Sequence, residues 1–341
     1  DEEYYGADAK VWPDKDTRKV RKDRTFATLE KLDIKWNRCD DSTFIKEHYA
    51  YEMYRANGVL APRTNIASID WGGVHCGIYT IYEPIDKLFL ERNLPESQLG
   101  GDLYKCGWTW EGASFTNTDS IGIEDEDNSK FFVYDLKTNK KTSQHEALIR
   151  LIQTLNAGVT KEEYAQLIEV DSFLRYAAVS YLLGNPDDLR NNYNNFYLYF
   201  NTTDKYDYEF FFIPYDYDNT LGTSWNIGVM NDPGRQDPYN WGDTGLLMER
   251  LMKFEEFRMI YRNALKELVD PANGLFHVDA SIARIKAWQD KIRPYVGNDT
   301  GEDMEIIDEA ASWGNMHHYK LLTKGNDNFF QVKAETVNRM K

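Results

Sequence analysis

Asn185-Pro186-Asp187-Asp188-Leu189-Arg190-Asn191-Asn192-Tyr193-Asn194-Asn195 is the stretch on which the reading of this chain turns. Two strand-like runs follow it, and the second ends in Ile213-Pro214-Tyr215-Asp216-Tyr217-Asp218. Asp187 and Asn192 stand five apart. That is the D-x-x-x-x-N spacing of a phosphoryl-transfer loop, in which a carboxylate meets the attacking hydroxyl and an asparagine holds a metal ion. Asp216 falls at the end of the hairpin, where such a site places its second metal-binding carboxylate. The chemistry needs these groups because its work is positioning and charge neutralisation around the phosphates. The spacing alone is a weak signal, since acidic and amide residues crowd ordinary turns. The plainer alternatives are a turn aspartate at 187, capping amides at 192 and 195, and a structural cation at 216 and 218.

Working outward, the chain has 341 residues, enough for one large domain or two lobes around a substantial core. Hydrophobic content of 42% with 28% charged residues describes a soluble globular protein. Aromatic residues make up 14%, including 23 Tyr and 9 Trp, a richness that points to an exported or surface-exposed protein. A net charge of −16 argues against a nucleic-acid partner, which would need a clustered basic face. No run is long and apolar enough to span a membrane. Cys39, Cys76 and Cys106 lack the paired spacing of a zinc site, and leave open one disulfide with a spare thiol or three buried thiols. Asn201-Thr202-Thr203 and Asn298-Asp299-Thr300 are glycosylation sequons.

The element pattern is α+β. Phe26–Asn37 alternates through Leu32, Ile34 and Trp36 as a strand carrying Lys35 on its other face. A helix is predicted from about Thr43 to Ala56, with Ile45, Tyr49, Met53 and Ala56 as its apolar stripe and Glu52 sharing that inward side. A hairpin over Thr64–Trp71 and His75–Tyr82 follows, closed at Gly72-Gly73. Helices are predicted at 145–156, 161–168, 171–183, 245–269, 280–295, 302–313 and 329–341, around an irregular stretch from Gly222 to Gly245. The expectation is a small mixed lobe over residues 1–90 and a larger, mainly helical lobe over 91–341, acting as one unit.

Several stretches together resemble the CotH kinase family, atypical protein-kinase-like proteins associated with spore coats. They are HYAYEMYRANGVLAPRT (His48–Thr64), CGIYTIYEPIDKLFL (Cys76–Leu90), GDLYK (Gly101–Lys105), GNPDDLRNNYNNFYLY (Gly184–Tyr199), IPYDYDNTLG (Ile213–Gly222) and LLMERLMKFEEFRMIY (Leu246–Tyr261). The resemblance implies a two-lobed atypical kinase fold with a nucleotide cleft between the lobes, ATP as cosubstrate and Mg²⁺ (or Mn²⁺ or Ca²⁺) as cofactor. Carried over, it makes Asp187 the catalytic base and Asn192, Asp216 and Asp218 the metal ligands. Tyr215 becomes an aromatic platform for adenine, Tyr104 its opposite wall, and Lys105 a phosphate contact. Lys35 and Glu52 become the pairing of strand lysine with helix glutamate. The chain departs from the kinase pattern in two places: Asp216-Tyr217-Asp218 lacks the usual glycine, and no glycine-rich phosphate loop is visible.

The leading expectation is a Mg²⁺- and ATP-dependent kinase acting on Ser or Thr of a protein, working as a monomer outside the cytoplasm, at a cell or spore surface. A basic, Ser-rich substrate would complement the acidic charge. The runner-up is a non-catalytic scaffold or adhesin-like module of the same fold, a pseudokinase. A carboxylate-based hydrolase is third, because it leaves the Asn192 spacing without a purpose.

Overall fold

A computed structural model describes residues 31–36, 41–108, 112–124, 130–190, 192–201, 210–225, 231–240, 245–272, 274–301, 305–309, 314 and 316–340. The predicted strand around Lys35 is present as β1 (Asp33–Trp36), while its opening, Phe26–Glu30, lies outside the described residues, as does Cys39. β1 pairs with β3 (Val74–Tyr82), which pairs in turn with β2 (Thr64–Trp71), giving a three-stranded antiparallel sheet in the order β1-β3-β2. Register places Lys35 opposite Thr80 and Asp33 opposite Tyr82. The Gly72 and Gly73 turn has positive φ at both positions, 60° and 84°, the conformation a tight two-residue hairpin demands.

Helix α1 (Lys46–Ala56) starts later than predicted. Asp41 nonetheless holds its entry, accepting from the Thr43 and Lys46 amides at 2.8 and 2.6 Å. Nearly every side of α1 is covered: Lys46, Glu47, His48, Tyr49, Ala50, Tyr51, Met53 and Tyr54 are all buried. Tyr49 packs on Phe276 and Phe330 from the C-terminal region, and Tyr54 stacks on Tyr176, with centroids 5.2 Å apart. The helix therefore lies inside the main hydrophobic core instead of presenting one apolar stripe to one sheet.

After α2 (Lys87–Asn93), most of the regular structure described beyond residue 91 is helical, but a sheet that the sequence reading did not foresee runs through it. The sheet has five strands in the order β5-β6-β4-β7-β8, built from β4 (Asp102–Cys106), β5 (Ile121–Gly122), β6 (Tyr134–Leu136), β7 (Phe196–Phe200) and β8 (Phe210–Pro214). β7 and β8 are the expected hairpin; β4 and β6 are short pieces from elsewhere in the chain. Packed beside the sheet are α3 (Glu146–Ala157), α4 (Lys161–Leu167) and α5 (Val170–Leu183). A Thr160/Glu163 capping box opens α4, and Gly184 in the left-handed region closes α5. The helix predicted over 245–269 is two, α6 (Leu246–Leu251) and α7 (Glu255–Val269). α8 (Val278–Ile292) and α9 (Phe329–Asn338) complete the set. Residues 305–309, inside the helix predicted at 302–313, are not helical.

No helix among the described residues is long and apolar enough to cross a membrane. Cys76 and Cys106 carry unpaired thiols. Both sequon asparagines, Asn201 and Asn298, are buried, so in the folded chain neither amide is presented to solvent for glycosylation.

Candidate functional site

Two loops meet at the end of the large sheet. The first runs from the C-terminus of α5 to the start of β7 and carries Asp187; the second follows β8 and carries Asp216. Asn185, fully buried, ties them together. Its Oδ1 accepts from the Asp187 amide at 2.8 Å, and its Nδ2 donates to the Asp216 carbonyl at 3.4 Å. Asn195 makes a second tie: its Nδ2 donates to the Asp187 carbonyl (2.9 Å) and Oδ2 (3.1 Å), while its own carbonyl accepts from the Tyr215 amide at 3.0 Å. Asn195 and Asp216 adopt φ of 60° and 57°, a left-handed backbone that Asn and Asp tolerate better than other side chains.

Asn192 Nδ2 donates to Asp187 Oδ1 at 2.7 Å. Each Asp187 oxygen thus takes one amide hydrogen and keeps a lone pair for an incoming hydroxyl. The same bond commits the nitrogen end of Asn192 to Asp187 and turns Oδ1 into the end that can meet a cation. The neighbouring aspartate serves differently. Asp188 is sealed from solvent, ion-paired with buried Arg190 at 3.1 Å and accepting from Ser180 Oγ at 2.6 Å. Arg190 also donates to the Asn185 carbonyl at 2.5 Å, so this pair fixes the loop from below.

Lys35 reaches the second loop from β1. Its Nζ is ion-paired with Asp216 and with Asp218 (2.7 Å), and lies 3.7 Å from Glu47 Oε2. Burial opposes the charge on Lys35, but Glu47, Asp218 and Asp216 outweigh it and hold the ammonium well above its ordinary pKa. Burial dominates at Glu47 and, with the two aspartates adding to it and Lys35 opposing, pushes its pKa up to about 8. The helix carboxylate that meets Lys35 is therefore Glu47, not Glu52. The correction follows from the packing of α1: with almost every face buried, the stripe holding Ile45 and Tyr49 is not the face turned to Lys35. Glu47 and Tyr51, four residues apart, occupy that face. Tyr51 OH donates to Glu47 Oε1 (3.5 Å) and accepts from the Asp216 amide at 3.1 Å, while the Tyr217 amide donates to Glu47 Oε1 at 3.3 Å.

The aromatic wall needs a correction as well. Tyr104 and Lys105 are adjacent in β4, and neighbours in a strand point to opposite faces. Lys105 faces Tyr215, its Nζ 4.5 Å from the ring centroid. Burial, with Lys137 nearby, lowers the Lys105 pKa despite the pull of Asp216. Tyr104 is turned into the core, 0% exposed, with its hydroxyl 2.8 Å from His145 Nδ1. The aromatic side chain beside Tyr215 is Tyr197 from β7, edge-on with centroids 5.5 Å apart. Its register opposite Lys105 puts it on the same face.

This set offers hard oxygen donors: the carboxylates of Asp216 and Asp218, the amide oxygen of Asn192, and a buried Glu47 Oε2 without a hydrogen bond. Among the described residues no three His, Cys, Asp or Glu side chains are clustered as a ready ligand set. Mg²⁺ needs none, because it typically takes one or two carboxylates and fills its sphere with phosphate and water oxygens. The donors fit such an ion.

With the geometry described, comparison with known proteins is decisive. The family described as CotH kinase protein matches residues 10–320. The chain belongs to the CotH kinase family. A curated relative, the "Inner spore coat protein H" of Bacillus subtilis (strain 168), is 24% identical over 259 residues. That match covers 75% of this chain and 66% of the relative, just under two thirds of its length. Asn185 was missed by the motif spacing, whereas Asn195, read as a capping amide, does bond a backbone carbonyl, that of Asp187. The one local signal for Asn185 was Asn-Pro, an Asx-type turn immediately before the candidate base.

Proposed function

We propose that this CotH family member transfers the γ-phosphoryl group of ATP to Ser or Thr hydroxyls of a protein, with Mg²⁺, in a cleft between a small lobe (1–90) and a large lobe (91–341). The observation that supports this reading is that Asn185 ties the Asp187 amide to the Asp216 carbonyl, while Asn192 donates to the Asp187 carboxylate. Asp187, held by Asn192 and Asn195, takes the proton of the attacking hydroxyl. Asn192, Asp216 and Asp218 hold the metal, which when bound supplies charge neutralisation on the phosphates. Lys35, backed by Glu47, and Lys105 supply positive charge on either side of the phosphate path. Tyr215 and Tyr197 offer the apolar surface for the base. The relative's name supports placing this chain at a spore surface, and the acidic charge favours a basic, Ser-rich substrate.

The test pairs binding with turnover. Mg²⁺ and ATP together should raise the melting temperature by mass action, whereas either alone should not. Asp187→Asn should keep that stabilisation and lose about 10²- to 10⁴-fold in phosphate incorporation into a Ser-rich protein. A second reading, the pseudokinase scaffold, is favoured by the ion pairs that set Lys35 on the very carboxylates assigned to the metal. Stabilisation by Mg²⁺-ATP without any incorporation would select it.

A further inference from the structure

The last helix, α9, lies beyond the residues over which the family matches, yet it reaches the underside of the candidate site. Its apolar side chains Phe329, Phe330, Val332 and Val337 are buried in the main core and suffice to dock it. Lys333 is buried with them, 0% exposed. Its Nζ donates to the Pro233 carbonyl at 2.6 Å and stands 3.6 Å from the centroid of the Tyr181 ring. Burial, with Arg190 nearby, draws its pKa well below the ordinary lysine value, against the pull of Asp232 and Asp188. The bond to Pro233 needs only an N–H, which the side chain offers whether charged or neutral. Packing does not explain this residue, because an apolar side chain of the same length would avoid the cost of desolvating an amine.

From Lys333 the contacts run toward the site through buried groups. Pro233 stands against Gly184, the residue before Asn185. A Cβ on Gly184 would come 3.3 Å from Pro233 Cβ and 3.0 Å from Phe329 Cζ. Three residues beyond Pro233, the Gln236 carbonyl accepts from the Tyr181 hydroxyl at 2.7 Å. Gln236 Oε1 in turn accepts from Arg190 at 3.1 Å. Arg190 is the guanidinium that donates to the Asn185 carbonyl, and Asn185 joins the Asp187 amide to the Asp216 carbonyl.

We propose that Lys333 is a positioning residue of the candidate site: holding the turn at 233–236 against Tyr181, it presents Gln236 to Arg190 and through Arg190 sets the Asn185 bridge. The proposal rests on the kinase reading and adds to it a dependence on a helix outside the matched family span. Acting through the loop and not on a substrate, Lys333 governs kcat and leaves KM for the acceptor unchanged.

The experiment uses the full chain with Mg²⁺-ATP and a basic peptide of alternating Arg and Ser, at a temperature where every variant is folded. Lys333→Met keeps the length and apolar packing but removes the N–H, and Gln236→Leu cuts the same path one step nearer the site. Each should lower kcat by about 3- to 30-fold with the peptide KM unchanged. The double variant should lose little more than either single one, whereas independent packing defects would add. Amide exchange gives a readout apart from turnover. The amides of Asp187, Arg190 and Asn192 bond to Asn185 Oδ1, Asp188 Oδ1 and the Asp188 carbonyl. In Lys333→Met they should exchange about tenfold faster, while amides of the β2–β3 hairpin keep parental rates. Parental kcat and parental exchange in Lys333→Met would overturn the proposal and leave the kinase reading standing. Losses that add in the double variant would overturn it too, since the path through Gln236 would be wrong. Faster loop exchange in Lys333→Met, with a parent that phosphorylates nothing, would sink the kinase reading alone, and Lys333 would remain the residue that holds this loop.

Discussion

At the scale of single residues, the site rests on amide side chains as much as on carboxylates. The sequence singled out Asp187, Asn192 and Asp216 because phosphoryl transfer fixes such a spacing and order around a hairpin, and the Asn192–Asp187 contact follows that spacing. Asn195 was expected only as a capping amide, and Asn185 not at all, since an amide that bridges two loops has no sequence signature beyond a turn. Yet Asn185 is the group whose two ends hold both loops. Asn185→Ala should therefore act on the metal side and the base side together. A displacement of about an ångström in a reacting group can cost roughly 100-fold in rate, so kcat should fall by about 10- to 100-fold. A weaker response to Mg²⁺-ATP in thermal denaturation should accompany it. Asp187→Asn, in contrast, should leave the Mg²⁺-ATP response intact. If Asn185→Ala lowers only stability, with parental kcat at a temperature where it is folded, the bridging role is wrong.

At the scale of elements, the two misplaced side chains share a cause, which is that each element's surroundings differ from the ones its pattern suggests. A helix with one apolar stripe would have turned Glu52 inward, but α1 is buried nearly all round and gives Glu47 to Lys35. A lone GDLYK stretch gives no hint of alternation, but once it is β4 in the middle of a sheet, Tyr104 and Lys105 must part. The consequence is a clean pairwise test. In an assay at about pH 9, where a Glu47 carboxyl with its pKa pushed up to about 8 is ionised, Glu47→Gln removes a charge 3.7 Å from Lys35, and Lys35→Met removes the cation facing Asp216 and Asp218. Both should weaken nucleotide binding, measured by calorimetry with Mg²⁺ and a non-hydrolysable ATP analogue, by about tenfold or more, in line with the loss of a charge-assisted contact. Glu52→Gln should bind like the parent. Equal losses from Glu47→Gln and Glu52→Gln would return the pairing to the sequence-based assignment. In the same assay Tyr215→Ala should weaken binding more than Tyr104→Phe, because the Tyr104 hydroxyl points away from Tyr215 toward His145 and Asp102.

At the scale of the whole molecule, the class α+β was readable from the sequence because long periodic helices and the 64–82 and 196–214 hairpins declare themselves locally. The five-stranded sheet was not, because its strands β4, β5 and β6 have only five, two and three residues. Strands that short gain their identity from partners far away in sequence. Joining such distant pieces falls partly to buried ion pairs, and Glu83 is the clearest case. It follows β3, its side chain is 1% exposed, and it takes Arg63 from the approach to β2 at 3.1 Å and Arg92 from α2 at 2.6 Å. Burial alone would raise its pKa, but hydrogen bonds from Arg63 and Arg92 outweigh that and hold it below the ordinary glutamate value. A carboxylate depressed on folding contributes stability that is complete above its unfolded pKa of about 4.3 and is lost as pH falls through its folded value. Stability of the parent should thus be insensitive to this group at pH 6 to 8 and decline as the pH drops below about 4.5. Glu83→Gln keeps the shape but removes the charge that Arg63 and Arg92 share, so it should cost about 1–3 kcal/mol at neutral pH. Its denaturation midpoint in urea should then fall less steeply than the parent's between pH 4.5 and 3, because the variant has already lost what acid removes. Parallel pH profiles for the two proteins would mean that the Arg63–Glu83–Arg92 cluster contributes no net stability, and that packing of α2 against the hairpin is held by its apolar contacts alone.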